Sequence, residues 1–310
     1  MKKTLSFHFE SELTTVCGLS KNSKGLELTT IETIQKGIPA LGDNVAIFKN
    51  SLSKVLKEVE HLIKESERIT ISLPAETSLA KQIPYIDSNE EEKLRELLTF
   101  EIELLFPKFT VDDFFVKLFP LEGKSKSAQM QLAILMEKKL MLAIQETFAN
   151  FGKKVDVFQV RQLAAHSTFL YNYPELINNT VVILGIQEKF LDVSILREGK
   201  LLYYDLASFN SVKELGSICQ IEITKLLSGT VSFIDHVFVF GNSLTAESLS
   251  QAHASLFGII QKVERLNAFR MVTTELDQRT KEYCSRTSHL FVPCIGSALL
   301  DPHKVSFVLE

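Results

Sequence analysis

Two stretches of this sequence, 4–34 and 180–206, each read as three consecutive strands joined by short turns, and each is followed by helices and a later strand. In the first, Leu5, Phe7 and Phe9 alternate with polar residues, the period of a strand with two distinct faces. Leu13 to Leu19 continues as a second strand, and Lys21 to Gly25 supplies a turn. Leu26, Leu28, Thr30 and Ile34 suggest a third strand. In the second stretch, Thr180 to Ile186, Phe190 to Arg197 and Lys200 to Leu206 repeat the layout, with Glu198-Gly199 at a tight turn. Identity between the two stretches is negligible, so the repeat is one of layout. A chain built this way folds as two similar α/β halves.

The intervening sequence divides in the same spirit. Val45, Phe48, Leu52, Val55, Leu56, Val59 and Ile63 recur at steps of three and four, which predicts an amphipathic helix over 44–66. Arg68 to Leu73 is a short strand ended by Pro74. From 75 to 160 the order is helix, strand, strand, helix, strand. Ser88 is the expected N-cap of an acidic helix start at Glu90-Glu91-Glu92, and Pro107 closes that helix. Strands are expected at 114–121, 129–136 and 155–160, with a helix over 137–150 that Gly152 terminates. This is a compact α+β module. A helix over 161–178 leads into the second repeat. Beyond it come helices over 211–228, 245–257 and 273–287, a strand over 236–240 and a short segment near Val263, then Gly296 and the tail.

Composition narrows the function. The chain has 310 residues, enough for two domains that bury a core without disulfides or metals. Its formal charge of −4, with no strongly basic segment, excludes a general nucleic-acid binder. The cysteines, Cys17, Cys219, Cys284 and Cys294, form no C-x-x-C pair, which fits a reducing, cytoplasmic compartment. The apolar start ends at Glu10, too early for a signal peptide, and no stretch is long enough to span a membrane. Membrane association is therefore expected through a partner. Phosphate-loop, dinucleotide and serine-hydrolase motifs are absent. Asp235-His236 reads as a turn entering a strand, and the acidic run 90–92 as a solvated helix start.

Two segments resemble a known family. LPAETSLAKQIPYIDSNEEEKLRELLTFEIELLFPKF (73–109) is similar to the part of PilM proteins with a strand, a crossing, an acidic-start helix ending in Phe-Glu, and a proline-bearing turn. Phe100-Glu101 and Phe106-Pro107 occupy those places. AILMEKKLMLAIQETFANFGKKVDVFQVRQLAAH (133–166) resembles the next part. The resemblance covers nearly the whole chain through the order of its elements. It implies an actin-like (ribonuclease H-like) two-domain α/β fold. Residues 1–74 and 161–178 form one subdomain, 75–160 the inserted module also found in FtsA, and 179–310 the second domain with its nucleotide-covering subdomain largely missing.

The resemblance also implies a role. PilM proteins are cytoplasmic scaffolds of the type IV pilus platform. They hold the N-terminal tail of the membrane protein PilN in a groove beside the inserted module, and the type II secretion protein GspL has a related cytoplasmic part. Leu26, Leu28, Ile83 and Tyr85 are the residues expected to line that groove, on the expectation that the strand over 25–34 lies at a sheet edge. Other platform proteins and a second copy of the chain are compatible partners. ATP with Mg²⁺ is the ligand of active members of the fold class, which carry Asp-x-Gly at the first turn of each repeat. Here those positions hold His8-Phe9-Glu10 and Ile183-Leu184-Gly185, and the later glycine pair survives only as Gly241. Both aspartates are missing, so ATP hydrolysis is not expected. The alternative is an ATP-binding or ATP-hydrolysing protein of the same fold.

Overall fold

A computed structural model describes residues 3–299 except 24, 42–43, 88–89, 106, 123–128 and 261. The expected N-cap Ser88, the turn residue Lys24 and Phe106 lie outside the described residues.

The first repeat forms β1 (Thr4–Phe9), β2 (Thr14–Asn22) and β3 (Gly25–Ile34), an antiparallel meander. A helical stretch follows, as α1 (Val45–Glu58) and α2 (Glu60–Glu65), with a break at Val59 rather than one continuous helix. Asn44 caps α1 by accepting hydrogen bonds from the amides of Ala46 and Ile47. β4 (Arg68–Leu73) then pairs parallel to β1. The second repeat forms β9 (Thr180–Ile186), β10 (Phe190–Arg197) and β11 (Lys200–Ser208), with β12 (His236–Phe240) parallel to β9 and β13 (Val263–Arg265) parallel to β12. Within the first sheet, β8 (Val157–Val160) stands beside β4 where β13 stands beside β12. The two large sheets thus share one strand order, β3-β2-β1-β4-β8 and β11-β10-β9-β12-β13. The repeat inferred from the sequence is a repeat of topology.

Between the halves, β5 (Ser78–Pro84), β6 (Phe114–Pro120) and β7 (Met130–Glu137) form a separate sheet in the order β5-β7-β6. Its middle strand alternates. Leu132, Ile134 and Met136 face the core of the first large sheet, whereas Ala133 and Leu135 face α3 (Glu91–Leu105) through Leu98 and Ile102. The module is shorter than the sequence suggests. After Glu137 the chain returns to the first half: α4 (Lys138–Ala149) packs Met141, Ile144 and Phe148 into the core beneath β1 and β4, and β8 completes that sheet.

Helix α5 (Arg161–Asn172) runs between the two large sheets and is buried almost all round. α6 (Leu215–Gly229) follows β11 after one short 3-10 turn, so no further subdomain is inserted there. α7 (Ala246–Leu256) has a reciprocal Thr245–Ser248 cap. The expected helix over 273–287 divides: Thr273–Thr274 is a short strand, β14, and α8 (Gln278–Thr287) begins only after Asp277, whose carboxylate caps it at the Thr280 amide. A further helix, α9 (Val292–Leu299), lies against α5 and β1. Among the described residues no helix is long and apolar enough to cross a membrane.

Candidate functional site

The first turns of the two repeats face each other across the start of α5. Glu10 follows β1, and its amide closes a tight turn by donating to the Leu13 carbonyl at 2.9 Å. Asp192 lies on β10, directly opposite Gly185 of β9. Arg161 opens α5 between them, with no exposed side-chain surface. Its Nη1 donates to Glu10 Oε1 at 3.0 Å and its Nε to Asp192 Oδ2 at 2.9 Å. The guanidinium also lies over the Phe240 ring, 5.1 Å from its centroid. One cation therefore joins the first large sheet to the second.

Each carboxylate has further partners. His8 Nδ1 lies 3.1 Å from the Ser72 carbonyl oxygen, and its Nε2 lies 2.8 Å from Glu10 Oε1. Asp192 accepts from the Tyr204 hydroxyl at 3.0 Å and from Gln187 Nε2 at 3.1 Å. The two acids shift in opposite directions. Burial alone would raise the Glu10 pKa, but the bonds to His8 and the charge of Arg161 outweigh it and hold the carboxyl below its ordinary range. At Asp192 burial prevails over Arg161, Gln187 and Tyr204, and the pKa is raised. The Tyr204 hydroxyl is pushed well up, by burial first and then by the Asp192 charge.

The glycines of the site serve this arginine. A Cβ on Gly185 would stand 2.8 Å from Arg161 Nη2, 2.8 Å from Gln162 Oε1 and 2.9 Å from the Phe240 ring. Gly241, with φ of 124°, ends β12 where a Cβ would meet the Ile186 carbonyl oxygen at 2.1 Å. Ile183 contributes its carbonyl oxygen, which accepts from Gln162 Nε2 at 2.8 Å. The structure thus gathers four of the expected nucleotide-site positions, His8, Glu10, Ile183 and Gly185, around α5, with Gly241 beside them.

Where active members of the fold class hold a Mg²⁺-bound triphosphate, these residues contact one another. The close backbone approach that Gly185 would offer a phosphate is taken by the Arg161 guanidinium. The carboxylates that could face the metal's waters are engaged by Arg161, His8, Gln187 and Tyr204. Among the described residues no group of three His, Cys, Asp or Glu side chains could hold a metal ion. Arg161 itself was not singled out in the sequence. A signal was present, since a cation at a helix N-terminus opposes the helix dipole and calls for nearby carboxylates.

Two buried histidines frame the same region and make it acid-sensitive. His166 Nε2 lies 2.7 Å from Ser194 Oγ, and burial lowers its pKa to about 3. His289, whose carbonyl accepts from the Gly241 amide at 3.3 Å, is lowered to about 4, by burial and then by Arg265. Unfolded, both titrate near about 6.5. Below that pH the unfolded chain takes up protons that the folded chain refuses, so stability falls as pH falls. Each histidine should cost about 1.4 kcal/mol per pH unit below pH 6. Both act down to about pH 4, and His166 alone from there to about 3. Urea unfolding at pH 7, 6, 5 and 4.5 should show this slope, and His166→Gln should roughly halve it. An unchanged slope in that variant would mean that His166 is charged in the folded protein.

The four expected groove residues do not share a surface. Thr273 and Thr274 of β14 pair in parallel with Glu27 and Leu28, so the edge of β3 is covered there. Leu26 and Leu28 sit in the core with Phe291 and Ile295, and Ile83 lies in the module's own core. Only Tyr85 is exposed. A groove does run between the first half and the module, on other residues. A cavity of about 180 Å³ is lined by Leu41, Glu76, Leu79, Phe109, Phe114 and Leu140. It adjoins a wider one of about 540 Å³ along α1 and α4, and the two share Leu41, Phe109 and Glu137. Burial raises the carboxyl pKa of Glu76 and of Glu137, which face the smaller cavity.

This paired-sheet architecture defines a two-domain protein with the actin-like fold. It is similar to a chain of a PilM-PilN type IV pilus biogenesis complex, with a TM-score of 0.69 and 14% identity over 96% of this chain and 97% of that one. It is also similar to a Bacteroides thetaiotaomicron protein with an actin-like ATPase fold and unknown function (TM-score 0.56, 14% identity, 87% and 94% covered). The cytoplasmic domain of EpsL, an inner-membrane component of the Vibrio cholerae type II secretion system, aligns with a TM-score of 0.50 and 11% identity over 83% and 99% of the two chains. At these identities the likeness is one of fold. No family model and no curated protein matches the sequence.

Proposed function

We propose that this chain is a nucleotide-independent scaffold of a type IV pilus or related secretion platform, held at the cytoplasmic face of the inner membrane by a PilN-like membrane protein. The groove between the first half and the inserted module carries this reading. It is long, lined by Leu41, Leu79, Phe109 and Phe114, and suited to an extended peptide that places apolar side chains in its deeper end. The similarity to a PilM-PilN complex and to EpsL supports the same role. The Arg161 ion pairs support independence from ATP, because they join the halves that a nucleotide joins in active members of the fold class.

Calorimetric titration tests both parts. A synthetic peptide of the cytoplasmic tail of the PilN-like partner should bind with micromolar affinity. Leu41→Glu, at a half-buried groove residue, should weaken it by about tenfold or more. Mg-ATP should give no heat of binding. Micromolar binding of Mg-ATP without peptide binding would instead favour the ATP-dependent alternative.

A further inference from the structure

Among the described residues, helix α3 has one face without a partner. Leu98 and Ile102 bury its inner side on the module's sheet. On the outer side Phe100 and Leu104, one helical turn apart, are 64% and 68% exposed. Neither lines the groove described above. A phenylalanine and a leucine standing this far into water on adjacent turns form an apolar stripe of the kind that marks an interaction site.

The charges beside the stripe specify what covers it. Helical spacing puts Glu92, Glu96 and Glu103 in a row along one flank, all exposed. They have no ion-pair partner among the described residues, whereas the neighbouring cations are taken: Lys81 by Glu101, Lys93 by Glu90, and Arg95 by Asp112. The surface therefore presents an apolar ridge beside uncompensated negative charge. An anionic membrane is disfavoured by that row. A second copy of this chain would bring the same carboxylates to the contact.

We propose that the outer face of α3 docks a basic amphipathic helix of a partner protein, which lays its apolar side on Phe100 and Leu104 and its lysines or arginines along Glu92, Glu96 and Glu103. This surface is independent of the tail-binding groove. It would let one copy of the chain hold two partners at once.

The test uses the full chain and a synthetic 18-residue helix of leucine and lysine in amphipathic register, labelled for fluorescence anisotropy. A matched peptide with glutamate for lysine serves as its counterpart. The lysine peptide should bind and the glutamate peptide should not. Phe100→Ser/Leu104→Ser and Glu96→Lys/Glu103→Lys should each weaken binding by about tenfold or more. Glu275→Lys/Glu282→Lys, the same charge change near α8, should leave it unchanged. All these residues are at least half exposed or lie on the surface, so the variants should fold as the parent does. Equal loss in the two lysine variants, with none in Phe100→Ser/Leu104→Ser, would reduce the binding to net charge and overturn the proposal. So would no binding to the parent chain, dimerisation abolished by Phe100→Ser/Leu104→Ser, or binding to anionic vesicles lost in that variant.

Discussion

Replacing Arg161 with leucine is expected to lower the unfolding free energy by about 3–5 kcal/mol, because it leaves two buried carboxylates without their shared cation. Glu10 keeps His8, but Asp192 keeps only the neutral donors Tyr204 and Gln187. Lysine should not rescue the site, since a single ammonium cannot reproduce the Nε and Nη1 bonds that reach two acids at once. The effect should have a pH signature. Without Arg161 the folded-state pKa of Asp192, already raised by burial, rises further, so the variant should recover stability as pH falls through that raised range. That is the opposite sign to the histidine effect, and the two separate by comparing Arg161→Leu with the parent chain at each pH. The combined change Glu10→Gln, Asp192→Asn, Arg161→Met should restore much of the loss, because the cost lies in unpaired charge rather than in lost volume. Urea unfolding followed by circular dichroism measures all of these. A loss below about 1 kcal/mol in Arg161→Leu would mean that water reaches the cluster and that it does not join the two halves.

The two meanders were legible because their signals are local: alternation along Leu5, Phe7 and Phe9, and turns such as Glu198-Gly199, where both residues have positive φ. The order of elements followed from the same signals and led to the fold. What was hidden depends on contacts distant in sequence. Alternation in β3 says that Leu26 and Leu28 face one way, but not that β14, almost 250 residues later, covers the edge. The end of the module was misplaced because α4 is amphipathic either way, and only packing shows that its apolar face belongs to the first half. Gly296 reads in the sequence as the start of a tail, whereas it lies inside α9. The candidate site was half legible. His8, Glu10, Ile183 and Gly185 all lie around the start of α5, but the missing aspartates alone could not indicate that an arginine from a third element stands among them.

Gly296→Ala should be about as damaging, for a steric reason. A Cβ there would lie 1.7 Å from the Ala164 carbonyl oxygen and 2.8 Å from Thr168 Oγ1, so α9 touches α5 backbone to backbone. Neither helix is free to move aside. Thr168 Oγ1 donates to the Val292 carbonyl at 2.6 Å, and Ser6 Oγ of β1 donates to the Cys294 carbonyl at 2.6 Å, pinning α9 on two sides. Ala164 lies one helical turn from Arg161, so displacing α5 also disturbs the ion pairs. Alanine is favoured over glycine in a helix by about 1 kcal/mol, yet overpacking against backbone should outweigh this and leave a net loss of about 3 kcal/mol. Gly229→Ala is the control. That glycine ends α6, and a Cβ added to it would meet nothing within 4 Å, so its replacement should leave stability unchanged or raise it by up to about 1 kcal/mol. Urea midpoints for the two variants should therefore move in opposite directions or differ widely. If Gly296→Ala stays within about 1 kcal/mol of the parent chain, α9 does not pack on α5 at this distance. The close crossing that positions Arg161 between the two sheets would then have to be abandoned.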